Sequence, residues 1–117
     1  MPENPLVNPD LEVTPERAKE LLDAREAVVV DVREPYEREA GHIEGSEHIE
    51  LERLASKAET LPRDRPIVFL CLAGGRSLMA AQAFRASGYD AWSMHGGLLR
   101  WDEEGRPIAG GGEVAGH

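Results

Sequence analysis

The sequence predicts an α/β domain in three layers, a mostly parallel central sheet with helices on both faces. Two short apolar runs, Ala27–Val32 and Ile67–Leu70, have the composition of strands buried on both sides, and Ala91–Met94 is a third candidate strand. Between them apolar residues recur at helical spacing, as in Ala18, Leu21 and Leu22 and again in Leu78, Ala81 and Phe84. Strands that alternate with helices pair in parallel through crossover connections. The 117 residues suffice for one domain. A chain of that size buries roughly two-thirds of the surface its unfolded form exposes, so it can hold a core without staples.

Residues 1–10 carry three prolines and are expected to form an extension over the surface, residues 11–108 the domain, and residues 109–117, AGGGEVAGH, a flexible glycine-rich tail. Thr14 followed by Pro15 marks a helix start, a capping hydroxyl and then a proline at the first helical position. After the Ala27–Val32 strand, Glu34–Ala40 reads as a short helix ending at Gly41. His42–Leu51 reads as a loop with a short extended piece, and Leu54–Leu61 as a modest helix. The strand Ile67–Leu70 runs straight into Cys71. A helix Ser77–Ser87 follows and stops at Gly88. The strand Ala91–Met94 and a last helix, Leu98–Glu104 ending at Gly105, complete the order.

The charge balance, 13 basic against 22 acidic residues for a net −9, argues against nucleic acid as the main partner. It leaves room for a small anion in a local pocket. No apolar stretch approaches the roughly 20 residues of a membrane span. The opening MPENPLVNPD has neither the basic start nor the apolar centre of a secretory signal, so a cytoplasmic protein without membrane contact is expected. One cysteine excludes an internal disulfide and a multi-cysteine metal site within this chain, and the four histidines show no metal-ligand spacing. No metal and no cofactor are expected.

In an open parallel sheet, ligands bind beyond the carboxyl ends of the strands. Here those ends carry Asp31 with Arg33, then Cys71, then His95 with Gly96 and Gly97. The sharpest segment is Cys71-Leu72-Ala73-Gly74-Gly75-Arg76-Ser77 between a strand and a helix. Adjacent glycines let successive N–H groups turn inward as an anion-binding nest, and the helix start adds its own unpaired donors. Arg76 would bring a full positive charge to the rim. Such surroundings favour the thiolate, so Cys71 reads as a reactive thiol and not as inert packing. The spacing from Cys71 to Arg76 is one residue tighter than in cysteine-dependent phosphatases. A smaller cradle suits a smaller cargo, such as a single sulfur atom.

With these residues in place the chain resembles a single-domain rhodanese, a sulfurtransferase. VVVDVREPYEREAGHIEGSEHI is similar to that family's first signature, CLAGGRS to its active-site loop, and GYDAWSMHGGLLRWDEEGRPI to its closing segment. The resemblance implies a double displacement: Cys71 takes a sulfane sulfur from a donor such as thiosulfate, and a thiol or cyanide removes it. The loop from Leu72 to Ser77 would hold the persulfide. Asp31, Arg33 and His42 would serve as structural supports, and His95 is a candidate for the substrate edge. The loop interior lacks the extra basic residue of many relatives, which leaves Arg76 alone to meet a dianion.

Two rival readings remain. One is a carrier that accepts sulfur from a protein persulfide donor and passes it to another protein. The other, disfavoured by loop length and by the lack of a second cysteine, is a cysteine phosphatase or arsenate reductase. Trp92 and Trp101 read as packing residues, His48 and His117 carry no signal, and the acidic stretch Glu34–Glu39 reads as a solvated face.

Overall fold

The computed structural model describes residues 8–110, and five parallel strands run through its centre. In chain order the strands are β1 (Glu12–Val13), β2 (Val28–Asp31), β3 (Glu47–His48), β4 (Ile67–Leu70) and β5 (Ala91–Met94). Their spatial order is β1-β5-β4-β2-β3, with all four pairings parallel. The helices are α1 (Pro15–Asp23), α2 (Pro35–Ala40), α3 (Leu54–Lys57), α4 (Gly75–Ala86) and α5 (Gly97–Glu103). Single 3-10 turns, Leu51–Arg53 and Ala58–Thr60, flank α3. The three-layer α/β architecture expected from the sequence is the one observed.

Period-two geometry divides the central strands between two cores. Val30, Ile67, Phe69, Cys71 and Ala91 face α3 and α4, where they meet Leu54, Ala80, Ala81 and Phe84. Val29, Val68, Leu70 and Met94 face the opposite side, against Ala18 and Leu21 of α1 and Leu98 and Trp101 of α5. Every residue of β4 is buried, which explains why its sequence shows no alternation.

Local chemistry sets the helix ends. The Thr14 hydroxyl accepts from the Arg17 N–H at 3.1 Å and caps α1. Glu34 and Glu37 form a reciprocal capping box around the start of α2, where Pro35 occupies the first turn. The two strands that the sequence patterns do not separate, β1 and β3, have two residues each. Backbone bonds to β5 hold the first, Leu11 O accepting from Ser93 N and Val13 O from His95 N.

The chain moves outward from β2 to β3 and then returns to place β4 on the other side of β2. That reversal puts a crevice at the carboxyl ends of β2 and β4. At the far end, Ala109, assigned from sequence to the start of the tail, exchanges two backbone hydrogen bonds with His42. Residues 1–7 and 111–117, including His117, lie outside the described residues.

Candidate active site

Cys71 follows the last residue of β4 at the centre of the sheet, flanked by the ends of β2 and β5. It is 2% exposed. Gly74 takes a left-handed φ of +115°, which folds the loop back so that its N–H donates to Cys71 Sγ at 3.1 Å. A second donor is the Ser77 N–H, at 3.4 Å from the sulfur. The thiol in turn donates to Ser77 Oγ at 3.4 Å. The N–H groups of Gly75 and Arg76 precede the first bond of α4, from Leu78 N to Gly74 O, and remain as donors at the rim. Of the loop residues expected from the sequence, Gly74 and Ser77 touch the sulfur; Leu72 and Ala73 shape the turn.

The floor of the loop is the start of α5. Leu98 N donates to Cys71 O at 2.9 Å and Leu99 N to Leu72 O at 3.0 Å. Gly97 sits beneath these carbonyls with φ of +62°, and a Cβ there would stand 2.6 Å from Cys71 O. Only a residue without a side chain fits this close approach.

Arg76, at the start of α4, is paired. Its guanidinium makes two hydrogen bonds to the Glu37 carboxylate, at 2.7 and 3.0 Å. The positive charge expected at the rim is therefore balanced by a neighbouring carboxylate. Glu37, read from sequence as part of a solvated face, is buried, because the loop and α2 close over it. The Arg76 hydrogen bond holds the Glu37 carboxyl below its ordinary range against the opposing effect of burial. The same bond, with smaller Coulombic contributions from Glu37, Cys71 and Tyr36, raises the guanidinium above its own range.

Asp31 and Arg33 are both fully buried and form a two-pronged pair at 2.8 and 2.9 Å. Arg33 also donates to the carbonyls of Glu37 and Gly41, which ties β2 to both ends of α2. Arg38 reaches Asp31 at 3.4 Å and bonds Ser46, while His48 Nε2 lies 2.7 Å from Arg33 O. His42 bridges to Ala109 through its main chain; its buried Nδ1 has no hydrogen-bond partner among the described residues. His95 turns toward β1, with Nδ1 3.1 Å from Glu12 Oε2. Trp101 is buried and Trp92 stacks under Arg85, the packing roles expected of them. Glu34, Glu50 and Glu52 bring their oxygens within 4.8 Å of one another as a surface acidic cluster.

Residues 14–104 match the model of the rhodanese-like domain. The chain belongs to the rhodanese-like family. It is similar to the putative sulfurtransferase YtwF of Bacillus subtilis, 32% identical over 82% of this chain and 94% of that protein. It is likewise similar to the thiosulfate sulfurtransferase GlpE of Pseudoalteromonas translucida, 37% identical over 71% of this chain and 80% of that one. A solved rhodanese-related protein from Thermoplasma volcanium superposes with a TM-score of 0.75 at 31% identity, covering 85% of this chain and 97% of that one. These relationships support a sulfurtransferase in general. No helix among the described residues is long and apolar enough to cross a membrane.

Two features of this rhodanese-like site lie outside the expectations from sequence: the Glu37 partner of Arg76 and a hydroxyl, Ser93, behind Ser77. The first could have been suspected from the capping-box spacing of Glu34 and Glu37, which orients Glu37 at the start of α2. Gly97→Ala is expected to destabilise this domain by about 1–3 kcal/mol through crowding of the loop carbonyls. A urea titration measures that, and slower alkylation of Cys71 would accompany it.

Proposed function

We propose that Cys71 carries a sulfane sulfur as a persulfide, received from a donor such as thiosulfate and passed to a thiophilic acceptor such as cyanide or a thiol. The observation that carries this reading is the convergence of the Gly74 and Ser77 N–H groups on Cys71 Sγ at 3.1 and 3.4 Å. In the first step the thiolate attacks the outer sulfur of thiosulfate. A bond forms between Cys71 Sγ and that sulfur, the donor's own sulfur–sulfur bond breaks, and sulfite leaves with its electron pair. In the second step the acceptor attacks the terminal sulfur, forming thiocyanate from cyanide or a new persulfide from a thiol. The Cys71 thiolate is regenerated.

The terminal sulfur of the persulfide is anionic and projects from Sγ toward the loop mouth. The rim amides of Gly75 and Arg76 are placed to meet it, with the positive end of α4 behind them. These donors are fixed in the fold, so they stabilise charge without reorganising as it moves between sulfurs. The cycle needs neither metal nor organic cofactor. A cytoplasmic setting suits it, since reducing conditions keep a free thiol available.

A second reading concerns the donor. Because Glu37 neutralises Arg76, the site offers amide dipoles but little net charge to a dianion. That favours donors with one negative charge at the reacting end, including a persulfide borne by another protein, over thiosulfate. The reading is tested by thiocyanate formation from cyanide with thiosulfate and with a monoanionic thiosulfonate. Wild-type protein is expected to turn over the thiosulfonate faster, and Cys71→Ser to form no thiocyanate from either. Turnover by Cys71→Ser equal to wild type would overturn the persulfide assignment.

A further inference from the structure

We propose that Ser93 is a positioning residue for the reaction, setting through Ser77 the direction of a hydrogen-bond chain that ends on the Cys71 sulfur. The proposal rests on the reading of Cys71 as the nucleophile. Ser93 lies on β5 between Trp92 and Met94, on the face turned to α4, and is fully buried. Its backbone is fixed by pairing with Phe69 of β4 and Glu12 of β1. A hydroxyl in that position is costly unless it is bonded. The partner given to Ser93 Oγ among the described residues is Ser77 Oγ, at 2.8 Å.

At that distance either hydroxyl can donate; Gly74 O, 3.2 Å from Ser77 Oγ, takes the Ser77 proton and so favours Ser93 as the donor. Ser93 has one hydroxyl proton, and donating it to Ser77 Oγ is what satisfies it. Ser77 is thereby made an acceptor from Ser93, and its own proton is free to point elsewhere. Two acceptors are within reach, Gly74 O at 3.2 Å and Cys71 Sγ at 3.4 Å. While Cys71 is a thiol, its S–H donates to Ser77 Oγ and the Ser77 proton goes to Gly74 O. Once the thiol proton has left to a solvent base, Ser77 O–H rotates onto the sulfur. The thiolate then holds three donors: Gly74 N–H, Ser77 N–H and Ser77 O–H.

The bond from Ser93 polarises the Ser77 hydroxyl and strengthens its donation in a buried, low-dielectric setting. It also prevents Ser77 from turning its proton toward β5. Arg76 is in electrostatic contact with Cys71 while bonded to Glu37. Ser93 acts from the opposite side, through neutral dipoles.

The experiment is a cycle of full-length Ser93→Ala, Ser77→Ala and the double variant, read by iodoacetamide alkylation of Cys71 across pH. Ser93→Ala is expected to slow alkylation at neutral pH about threefold to tenfold and to move the profile to higher pH. Its unfolding midpoint should stay near that of wild type. Because Ser93 acts through Ser77, adding Ser93→Ala to Ser77→Ala is expected to change nothing further. An unaltered rate and profile in Ser93→Ala would overturn the proposal, as would equal effects of Ser93→Ala in both backgrounds. If Ser93→Ala proves too unstable to assay, Ser93→Thr, which keeps the hydroxyl, is read instead: alkylation at the wild-type rate is expected, and a slowing equal to that of Ser77→Ala would overturn the proposal. A wild-type Cys71 inert to alkylation would instead count against the nucleophile reading itself, so the two failures are distinct.

Discussion

Arg33→Ala is expected to destabilise the domain by about 3–5 kcal/mol, the range for breaking a buried ion pair by removing one partner. Native domains of ordinary size are stable by about 5–15 kcal/mol, so this single change removes a large share of the total. The cause is what remains behind. Asp31 is fully buried, and without Arg33 its carboxylate keeps, among the described residues, only the longer contact to Arg38 at 3.4 Å and a backbone N–H. The carbonyls of Glu37 and Gly41 lose a donor as well. Replacing both partners with apolar residues of similar volume, as in Asp31→Leu with Arg33→Met, is expected to cost less than the single change. A urea titration of the three proteins checks this; a loss below about 1 kcal/mol for Arg33→Ala would contradict it.

Glu37→Gln is expected to change which donor the site accepts. The neutral amide keeps an oxygen for the Glu34 N–H, so the start of α2 stays capped. The Arg76 charge, however, is no longer cancelled. A dianion gains twice the Coulomb energy that a monoanion gains from the same new charge. The ratio of kcat/KM for thiosulfate over a thiosulfonate is therefore expected to rise about threefold to tenfold, and to fall back as salt screens the exposed part of the pair. An unchanged ratio would show that Arg76 does not govern donor charge.

The same substitution also removes an acid-sensitive contribution to stability. The folded state lowers the Glu37 carboxyl relative to its ordinary value, with the Arg76 hydrogen bond as the main cause. Such a contribution is fully present above the ordinary glutamate range and is lost as pH falls through the lowered folded value. Wild type is thus expected to lose its advantage over Glu37→Gln on acidification.

Much of this was legible in the sequence for a physical reason: the strongest signals are local. The runs of β2, β4 and β5 are mostly apolar because helices cover both faces of the sheet, and no partner need be known to see that. The loop from Cys71 to Ser77 is likewise a contiguous device, a strand end, a turn needing Gly74 and a helix start. β1 escaped, and β3 was legible only as a short extended piece within His42–Leu51, because two-residue strands are held by main-chain bonds that leave no side-chain pattern. Glu37 and Arg76 meet across 39 residues of sequence, and an acidic residue on a short helix looks solvated until the loop is seen to cover it. The pairing of Arg76 was illegible in the same way, since neutralisation is a tertiary property. Ser93 is a single hydroxyl in an apolar strand, and only the position of Ser77 gives it a purpose.

The central claim, that Cys71 holds the transferred sulfur, is tested most directly by intact-protein mass spectrometry after a single exposure to a thiosulfonate or to thiosulfate. The account predicts a gain of one sulfur on wild type, no gain on Cys71→Ser, reversal by cyanide, and faster loading from the monoanion. A sulfur gained equally by Cys71→Ser, or thiocyanate produced while wild type never gains mass from any donor, would contradict it.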